Sequence, residues 1–285
     1  MPTFPPNTQP KPKGWPAALL ALLALITILP LALMAWTASK PRDRVDESYR
    51  YLAQHLPESE VLRKFEIPER PLQTALLNST LVSLISAILC VTLASLAGYA
   101  FAKRRFPGRS FLFDLVIVSM SVPAVILMMP LFRLTVALRI YDTILALILP
   151  FAVTGFGILY MRSVISSVPD SVIESGRLDG LTELGVLFRL VIPQLWPSVI
   201  TLAVLNFITS WGSFVLPHAL IASPERYTAS ILLGRLMFDY GGLMWNDIMI
   251  VVIAAILPVL LIYAVFSRSL LKGLTLIGEE RPDDE

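Results

Sequence analysis

The sequence predicts an all-α membrane protein with six transmembrane helices. Three observations lead there. Of the 285 residues, 55% are hydrophobic and only 15% charged, whereas soluble domains carry about a quarter charged residues. The mean hydropathy is +0.71. The apolar residues gather in long runs, and one span needs about 20 of them, so the length accommodates roughly six spans and no large soluble enzyme domain besides.

Residues 1–14 hold five prolines and two lysines and read as a disordered, solvated tail. The first run, 15–36, follows Lys11 and Lys13, as a signal peptide would. It is too long for a typical signal core and no clear small-x-small cleavage site follows, so a retained span is expected, kinked at Pro30. Residues 37–71 carry seven basic and seven acidic residues. Val45, Tyr49, Leu52 and Leu56 are spaced as one face of an amphipathic helix, limited by Pro57, Pro68 and Pro71, and a folded loop on the membrane surface is expected.

The second run, 72–102, places Ser79, Ser83, Ala87, Ala94 and Gly98 mostly four residues apart, a stripe that lets helix backbones approach closely. The third, 111–136, contains Pro123 and Pro130; the fourth is 143–161. A long polar loop, 162–196, precedes the fifth run, 197–222, and the sixth, 244–266. The spans and loop form one membrane domain over 15–267. The tail, 268–285, ends in an acidic stretch expected to be solvated.

Orientation follows from charge. Lys103, Arg104, Arg105 and Arg109 crowd the short loop after the second run, while the next loop has only Arg139. The positive-inside rule makes the first of these loops cytoplasmic. With six spans both termini are then cytoplasmic, in a multi-pass protein of the inner (plasma) membrane. The seven basic residues of 37–71 count against this orientation, but they are spread over a long loop.

The same counts exclude several chemistries. Cys90 is the only cysteine, so neither an intrachain disulfide nor a thiolate metal cluster can form. His55 and His218 are far apart, which disfavours a histidine metal site within the chain. None of the six lysines follows a glycine, so there is no phosphate-binding G-x-x-x-x-G-K-[ST] loop, nor is there a G-x-S-x-G elbow. If the protein uses ATP, another chain binds it. A proton-driven secondary transporter is the alternative, but it needs a carboxylate within the membrane; Asp114 and Asp247 lie at run edges. No paired catalytic constellation supports a membrane-embedded enzyme.

Within the long loop, Ser171 and Glu174 have capping-box spacing just after Pro169. Gly180 is a natural left-handed stop. A second short helix starts near Thr182 and is expected to run until Pro193 prevents continuation. Ile173, Leu178, Leu181, Leu184 and Phe188 give this helix–turn–helix apolar contacts to bury, either against its own membrane helices or in a groove on a soluble partner.

The stretch resembles the cytoplasmic "EAA" loop of ABC importer permeases, E-A-A-x-x-D-G followed by a hydrophobic run and an I-x-x-P or I-x-L-P ending. Glu174, Asp179, Gly180, Phe188, Ile192 and Pro193 match; Ser175 and Gly176 replace the two alanines, weakening the first helix. Asn78-Ser79, Ala97-Gly98-Tyr99-Ala100-Phe101-Ala102, Phe106-Pro107-Gly108-Arg109, Met129-Pro130-Leu131, Tyr141-Asp142-Thr143 and Leu271-Lys272-Gly273-Leu274-Thr275 resemble the carbohydrate branch, and most closely the second permease subunit of maltose-type importers. Val168-Pro169 stands where isoleucine–proline is usual, and Trp211-Gly212-Ser213-Phe214 departs from the branch's W-N-E-F. The similarity covers roughly residues 15 to 278.

The resemblance implies a type I ABC importer permease fold. It implies partnership with a second permease subunit, two ATPase subunits and an extracytoplasmic solute-binding protein, and none with nucleic acid. ATP and Mg would be bound by the ATPases and no cofactor by this chain, which would not itself be an enzyme. It implies ATPase coupling through Glu174, Arg177, Asp179, Gly180, Phe188 and Pro193, with Gly180 foremost. The solute expected is a sugar or sugar derivative. Pathway residues are sought among polar groups within the spans, which usually face the bundle interior: Asn78, Thr80, Asn206, Thr209, Ser210 and Trp211. For each of these, hydrogen bonding between helices is the competing role.

Overall fold

A computed structural model describes residues 14–39, 71–239 and 245–278. The expected tail before residue 14, the loop through 40–70 and the acidic end after 278 lie outside them. The described chain is helical, with no strand among the described residues. Its helices are α1 (Gly14–Ala38), α2 (Pro71–Lys103), α3 (Arg109–Met120), α4 (Ala124–Ala137), α5 (Ile144–Ala152), α6 (Gly155–Ser166), α7 (Asp170–Leu178), α8 (Glu183–Gln194), α9 (Trp196–Gly212), α10 (Val215–Leu220), α11 (Ala229–Asp239) and α12 (Trp245–Gly278).

Three helices are long and apolar enough to cross a membrane, and up to six spans result if each of three bent pairs counts as one. Local chemistry explains each bend. The run expected at 111–136 turns by 105° between α3 and α4. Pro123 is the residue before α4, and it keeps Val122 from continuing the helix. The run at 143–161 bends by 41° between α5 and α6 and reaches Ser166, later than expected. Thr154 stands in the break and accepts from the Gly157 amide at 3.0 Å. The run at 197–222 is not one helix: α9 stops at Gly212. Pro217 would clash with the carbonyl four residues back if the helix continued, and it is tolerated in the first turn of α10, where amides lack partners anyway. The α11 helix was not foreseen.

Helix α2 organises the bundle. Its 33 residues extend about 50 Å, well beyond a hydrocarbon core of about 30 Å, so one end stands clear of it. Lipid is as apolar as leucine, so burial of apolar surface does not by itself draw membrane helices together; close van der Waals contact does. The predicted stripe provides it: Ser79, Ser83, Ala87 and Ala94 are buried, as are Ala75, Ser86, Cys90 and Ser95. At Gly98 an added Cβ would lie 2.8 Å from the Arg162 amide nitrogen and 2.8 Å from Met161 Cβ. Only glycine allows this crossing of α2 and α6. The core formed there includes Met161, Ile165, Leu187 and Leu202.

Helix α1 continues through Pro30, and its apolar side chains from Leu19 to Trp36 are largely exposed.

Candidate functional site

The long loop folds as the α7–α8 hairpin, and its two ends are built differently from the sequence expectation. Helix α7 begins at Asp170 after Pro169, with no side-chain cap. The Ser171–Glu174 capping box is not formed, because Ser171 lies inside the helix rather than at its cap. The turn is as expected: Gly180 has φ +78°, the left-handed region, and the Leu181 amide bonds back to the Gly176 carbonyl at 3.0 Å. Thr182 then caps α8, accepting from the Gly185 amide at 3.2 Å. Pro193 does not end α8. A π turn over Leu187–Val191 precedes it, Pro193 sits near the start of the next short α segment, and the helix breaks at Leu195 with an 88° bend into α9.

The hairpin is part of the buried core of the bundle rather than an appendage. Ile173 from α7 and Val186, Leu187 and Val191 from α8 share one buried cluster with Tyr160, Met161 and Leu202 of α6 and α9. Gly176 has a packing reason. A Cβ there would lie 2.6 Å from Leu190 Cδ1 and 3.1 Å from Val186 Cγ2, so the smaller residue brings α7 close to α8.

What the hairpin buries leaves an apolar tip outside. Leu178 is 89% exposed, Leu184 59% and Phe188 44%. Glu174, Asp179 and Gly180 are exposed beside them, and the Glu174 and Asp179 carboxylates have no side-chain partner among the described residues. Pro193 lies at the far end of α8. The sixth expected coupling residue, Arg177, is turned inward along the hairpin: its Nε donates to Glu183 Oε1 at 3.0 Å.

Glu183 is the residue that sequence reasoning missed. Tyr99 Oη donates to its Oε2 at 2.9 Å, and Arg104 Nη1 to its Oε1 at 2.7 Å. Lys103, only 9% exposed, donates to the Val168 carbonyl at 2.6 Å and to Asp170 Oδ1 at 2.8 Å. One end of α2 therefore grips the start of both hairpin helices. Partial burial pushes the Glu183 carboxyl up, but the Tyr99 hydroxyl and the guanidiniums of Arg177 and Arg104 outweigh it and hold the group below its ordinary value. The Lys103 ammonium holds Asp170 low. The signal lay in the sequence: an acidic residue directly after the Thr182 cap suits a helix N-terminus, and the cationic Lys103 and Arg104 stand at the end of the second apolar run.

The polar groups sought along the pathway divide in two. Three spend their donors on backbone carbonyls of other elements. Asn78 Nδ2 donates to Glu225 O at 2.9 Å and Tyr227 O at 3.0 Å, while neighbouring Ser79 Oγ accepts from the Ala229 amide at 2.8 Å, so this pair holds the start of α11. Asn206 Nδ2 donates to Phe151 O at 3.0 Å. Trp211 Nε1 donates to Ala255 O at 3.0 Å, three residues before the Pro258 that interrupts the α12 ladder. Trp211 is buried, stacked on Phe207 at 5.5 Å. The other three differ. Thr80 and Thr209 are exposed and bond their own helix carbonyls at Leu76 and Leu205. Ser210 Oγ and Asn206 Oδ1, one turn apart on α9, are buried without a partner among the described residues.

At the opposite end of the bundle Asp142, with φ 57°, ties two loops together. Its Oδ1 accepts from the amides of Ala222 and Ser223 at 3.0 Å each, and Oδ2 from Arg226 Nη1 at 2.8 Å; Ser223 Oγ and the Arg226 contact to the Asp142 carbonyl complete the knot.

The sequence profile of the binding-protein-dependent transport system inner membrane component family matches residues 77–272, from just before Asn78 to Lys272. The chain belongs to this family. It is an inner membrane permease component of binding-protein-dependent transport and not itself an enzyme. A permease component of this kind in Bacillus subtilis, the arabinooligosaccharides transport system permease protein AraQ, is 34% identical over 203 residues, covering 70% of this chain and 71% of that one. The Escherichia coli inner membrane ABC transporter permease protein YcjP is 28% identical, covering 91% of this chain and 93% of its own length. A crystal structure of a bacterial ABC transporter that imports the acidic polysaccharide alginate contains a chain similar in fold. Its TM-score is 0.72 at 20% identity, covering 88% of this chain and 94% of that one. The permease fold expected from the sequence is thus supported by sequence and by shape.

Proposed function

We propose that this permease is one half of the membrane pathway of an ATP-driven importer for a sugar or sugar derivative, coupled to its ATPase through the α7–α8 hairpin. The observation that carries the reading is the hairpin itself: a tip with exposed Leu178, Leu184 and Phe188 on a body sharing its core with α6 and α9. An apolar tip rimmed by unpaired Glu174 and Asp179 suits a groove on a soluble protein. Gly180 forms the tip turn, Phe188 docks beside it, Arg177 braces it, and Pro193 marks the end of the moving element. A push on the tip moves the core.

The rest of the assembly follows the same reading. Helices α1, α2, α9 and α12 and the bent pairs α3–α4 and α5–α6 make six spans, with the hairpin and both termini on the cytoplasmic side where Lys103, Arg104, Arg105 and Arg109 cluster. A second permease subunit completes the pathway. Two ATPase subunits bind ATP and Mg beneath it, and an extracytoplasmic binding protein delivers the solute. The free Asn206 Oδ1 and Ser210 Oγ meet solute hydroxyls when the helices part, with exposed Thr80 and Thr209 farther along; Asn78 and Trp211 shape the pathway by holding its broken helices. Sugar is favoured by what the names of the similar permeases state, arabinooligosaccharides among them. Neither carboxylate of the proton-driven alternative adds support: Asp114 is exposed on α3, and the Asp247 side chain lies outside the described residues.

The test is gentle purification of the tagged chain from native membranes, with co-purifying proteins identified by mass spectrometry. A second permease and an ATPase are expected. A chain that runs alone under several mild detergents overturns the reading in favour of a secondary transporter.

A further inference from the structure

We infer that Glu183 is a positioning residue that fastens the coupling hairpin to the end of α2, so that α2, α7 and α8 move as one body and the give in the chain lies at Leu195. The inference rests on the importer reading above and goes beyond it by naming the helix that receives the push.

The fastening is double. Lys103 grips the entrance of α7 through the Val168 carbonyl and Asp170, and it is almost fully buried doing so. Glu183 grips the entrance of α8, taking a hydroxyl from Tyr99 and a guanidinium from Arg104, one and six residues on from Gly98 at the α6 crossing. Arg177 joins the same carboxylate from α7, so the two hairpin helices are also tied to each other. A charged acceptor shared by three donors is stronger and more directional than a single pair. A push on the tip therefore reaches α2 through bonds on both sides of the turn.

The exit from the hairpin is built in the opposite way. The π turn at Leu187–Val191 leads to Pro193, which has no amide hydrogen to give, and Leu195 leaves helical geometry at φ −100°, ψ 16°. Its amide is shared between the Val191 and Ile192 carbonyls at 3.3 and 3.1 Å. Helix breaks of this kind are where chains bend. The entrances are pinned by charged bonds and the exit is a break in the helix, so the hairpin rides with α2 while its angle to α9 changes.

The experiment uses the reconstituted importer with the otherwise native chain. Spin labels are placed on cysteines at Arg105 and Arg189, both exposed and outside the fastening, with buried Cys90 left in place. The distance between labels is expected to stay the same with and without trapped ATP, and to become nucleotide-dependent in Glu183→Ala. Glu183→Ala is also expected to raise the ATP hydrolysed per solute taken up by at least about fivefold, with Glu183→Asp restoring part of the coupling. A merely structural defect lowers hydrolysis and uptake together and leaves that ratio unchanged, which overturns the inference. A distance that already changes with nucleotide in the native chain overturns it too, and this measurement decides alone if Glu183→Ala fails to fold. Absence of any ATPase from the complex overturns the importer reading, and this inference with it.

Discussion

Asn206 Nδ2 on α9 donates to the carbonyl oxygen of Phe151 at 3.0 Å, beside the break between α5 and α6. In a bilayer no water satisfies a carbonyl freed by a broken helix, so another helix must. Asn206 does so with its donor and leaves its own acceptor free. The two atoms separate two roles. Asn206→Leu leaves Phe151 unpaired and is expected to destabilise the solubilised protein by about 1–2 kcal/mol, seen as a lower melting temperature. Asn206→Asp keeps an acceptor and loses the donor. If the free acceptor meets solute, Asn206→Leu also raises the half-saturating solute concentration for uptake; a lower melting temperature with unchanged half-saturation leaves only the helix-bridging role.

The crossing at Gly98 is a second point of sensitivity. The atoms that would meet a Cβ are the Arg162 amide nitrogen and the carbonyl carbon of Met161, at 2.8 and 2.9 Å. Backbone cannot swing aside as a side-chain tip can. Gly98→Ala therefore pushes α2 from α6 and is expected to cost about 1–3 kcal/mol. Because Tyr99 is the next residue, the shift also loosens its bond to Glu183. Gly176→Ala makes the contrast: there both near atoms are side-chain tips, Leu190 Cδ1, which can turn away, and Val186 Cγ2 at 3.1 Å, which need give only a few tenths of an ångström, and alanine is the better helix former by about 1 kcal/mol, which offsets that shift. Parallel melting curves are expected to show a clear loss for Gly98→Ala and little change or a gain for Gly176→Ala.

The apolar runs and the small-residue stripe were legible because they depend on local composition and a helical repeat. Ser79, Ser83, Ala87 and Ala94 are buried as their spacing requires. The left-handed turn at Gly180 was legible because few other residues take it. The breaks were not. Pro123 and Pro217 each stop a helix, whereas Pro30, Pro130 and Pro258 lie within helices that continue. What distinguishes them is the packing around each proline, as where Trp211 of α9 donates to the Ala255 carbonyl near Pro258. That is a tertiary fact. Glu183 was hidden for the same reason, since its partners Tyr99 and Arg104 come from 84 and 79 residues away.

Asp142 gives a prediction in pH. Partial burial pushes its carboxyl up, but the Ser223 hydroxyl and amide, the Ala222 amide and the Arg226 guanidinium outweigh that and lower it overall. A carboxyl lowered in the folded state adds stability above its unfolded value, about 3.9, and loses it as pH falls through the folded value. Between pH 5 and 8 its contribution is constant. Asp142→Ala is expected to lower the melting temperature at pH 7, by a loss of about 2–3 kcal/mol for the charged hydrogen bonds. The two proteins should converge as the pH is taken well below 3.9. A gap that persists undiminished in acid would place the stabilisation in the φ 57° turn itself and not in the carboxylate.

Gly180 separates strain within the chain from contact outside it. At φ +78° a side chain is disfavoured, yet nothing in the chain lies within 4 Å of where a Cβ would stand. Gly180→Ala carries only the backbone cost, roughly 1–2 kcal/mol, and Gly180→Asn carries less because asparagine tolerates this region. Neither should prevent insertion. Gly180→Arg adds bulk that this chain has room for and a fitted groove on an ATPase has not. The expected series is therefore mild loss of uptake for Asn and Ala, and for Arg continued ATP hydrolysis with uptake abolished. Uptake measured beside ATP hydrolysis in proteoliposomes distinguishes the cases. Full uptake by Gly180→Arg would mean that the tip meets no close-fitting partner, and the coupling role would fall with it.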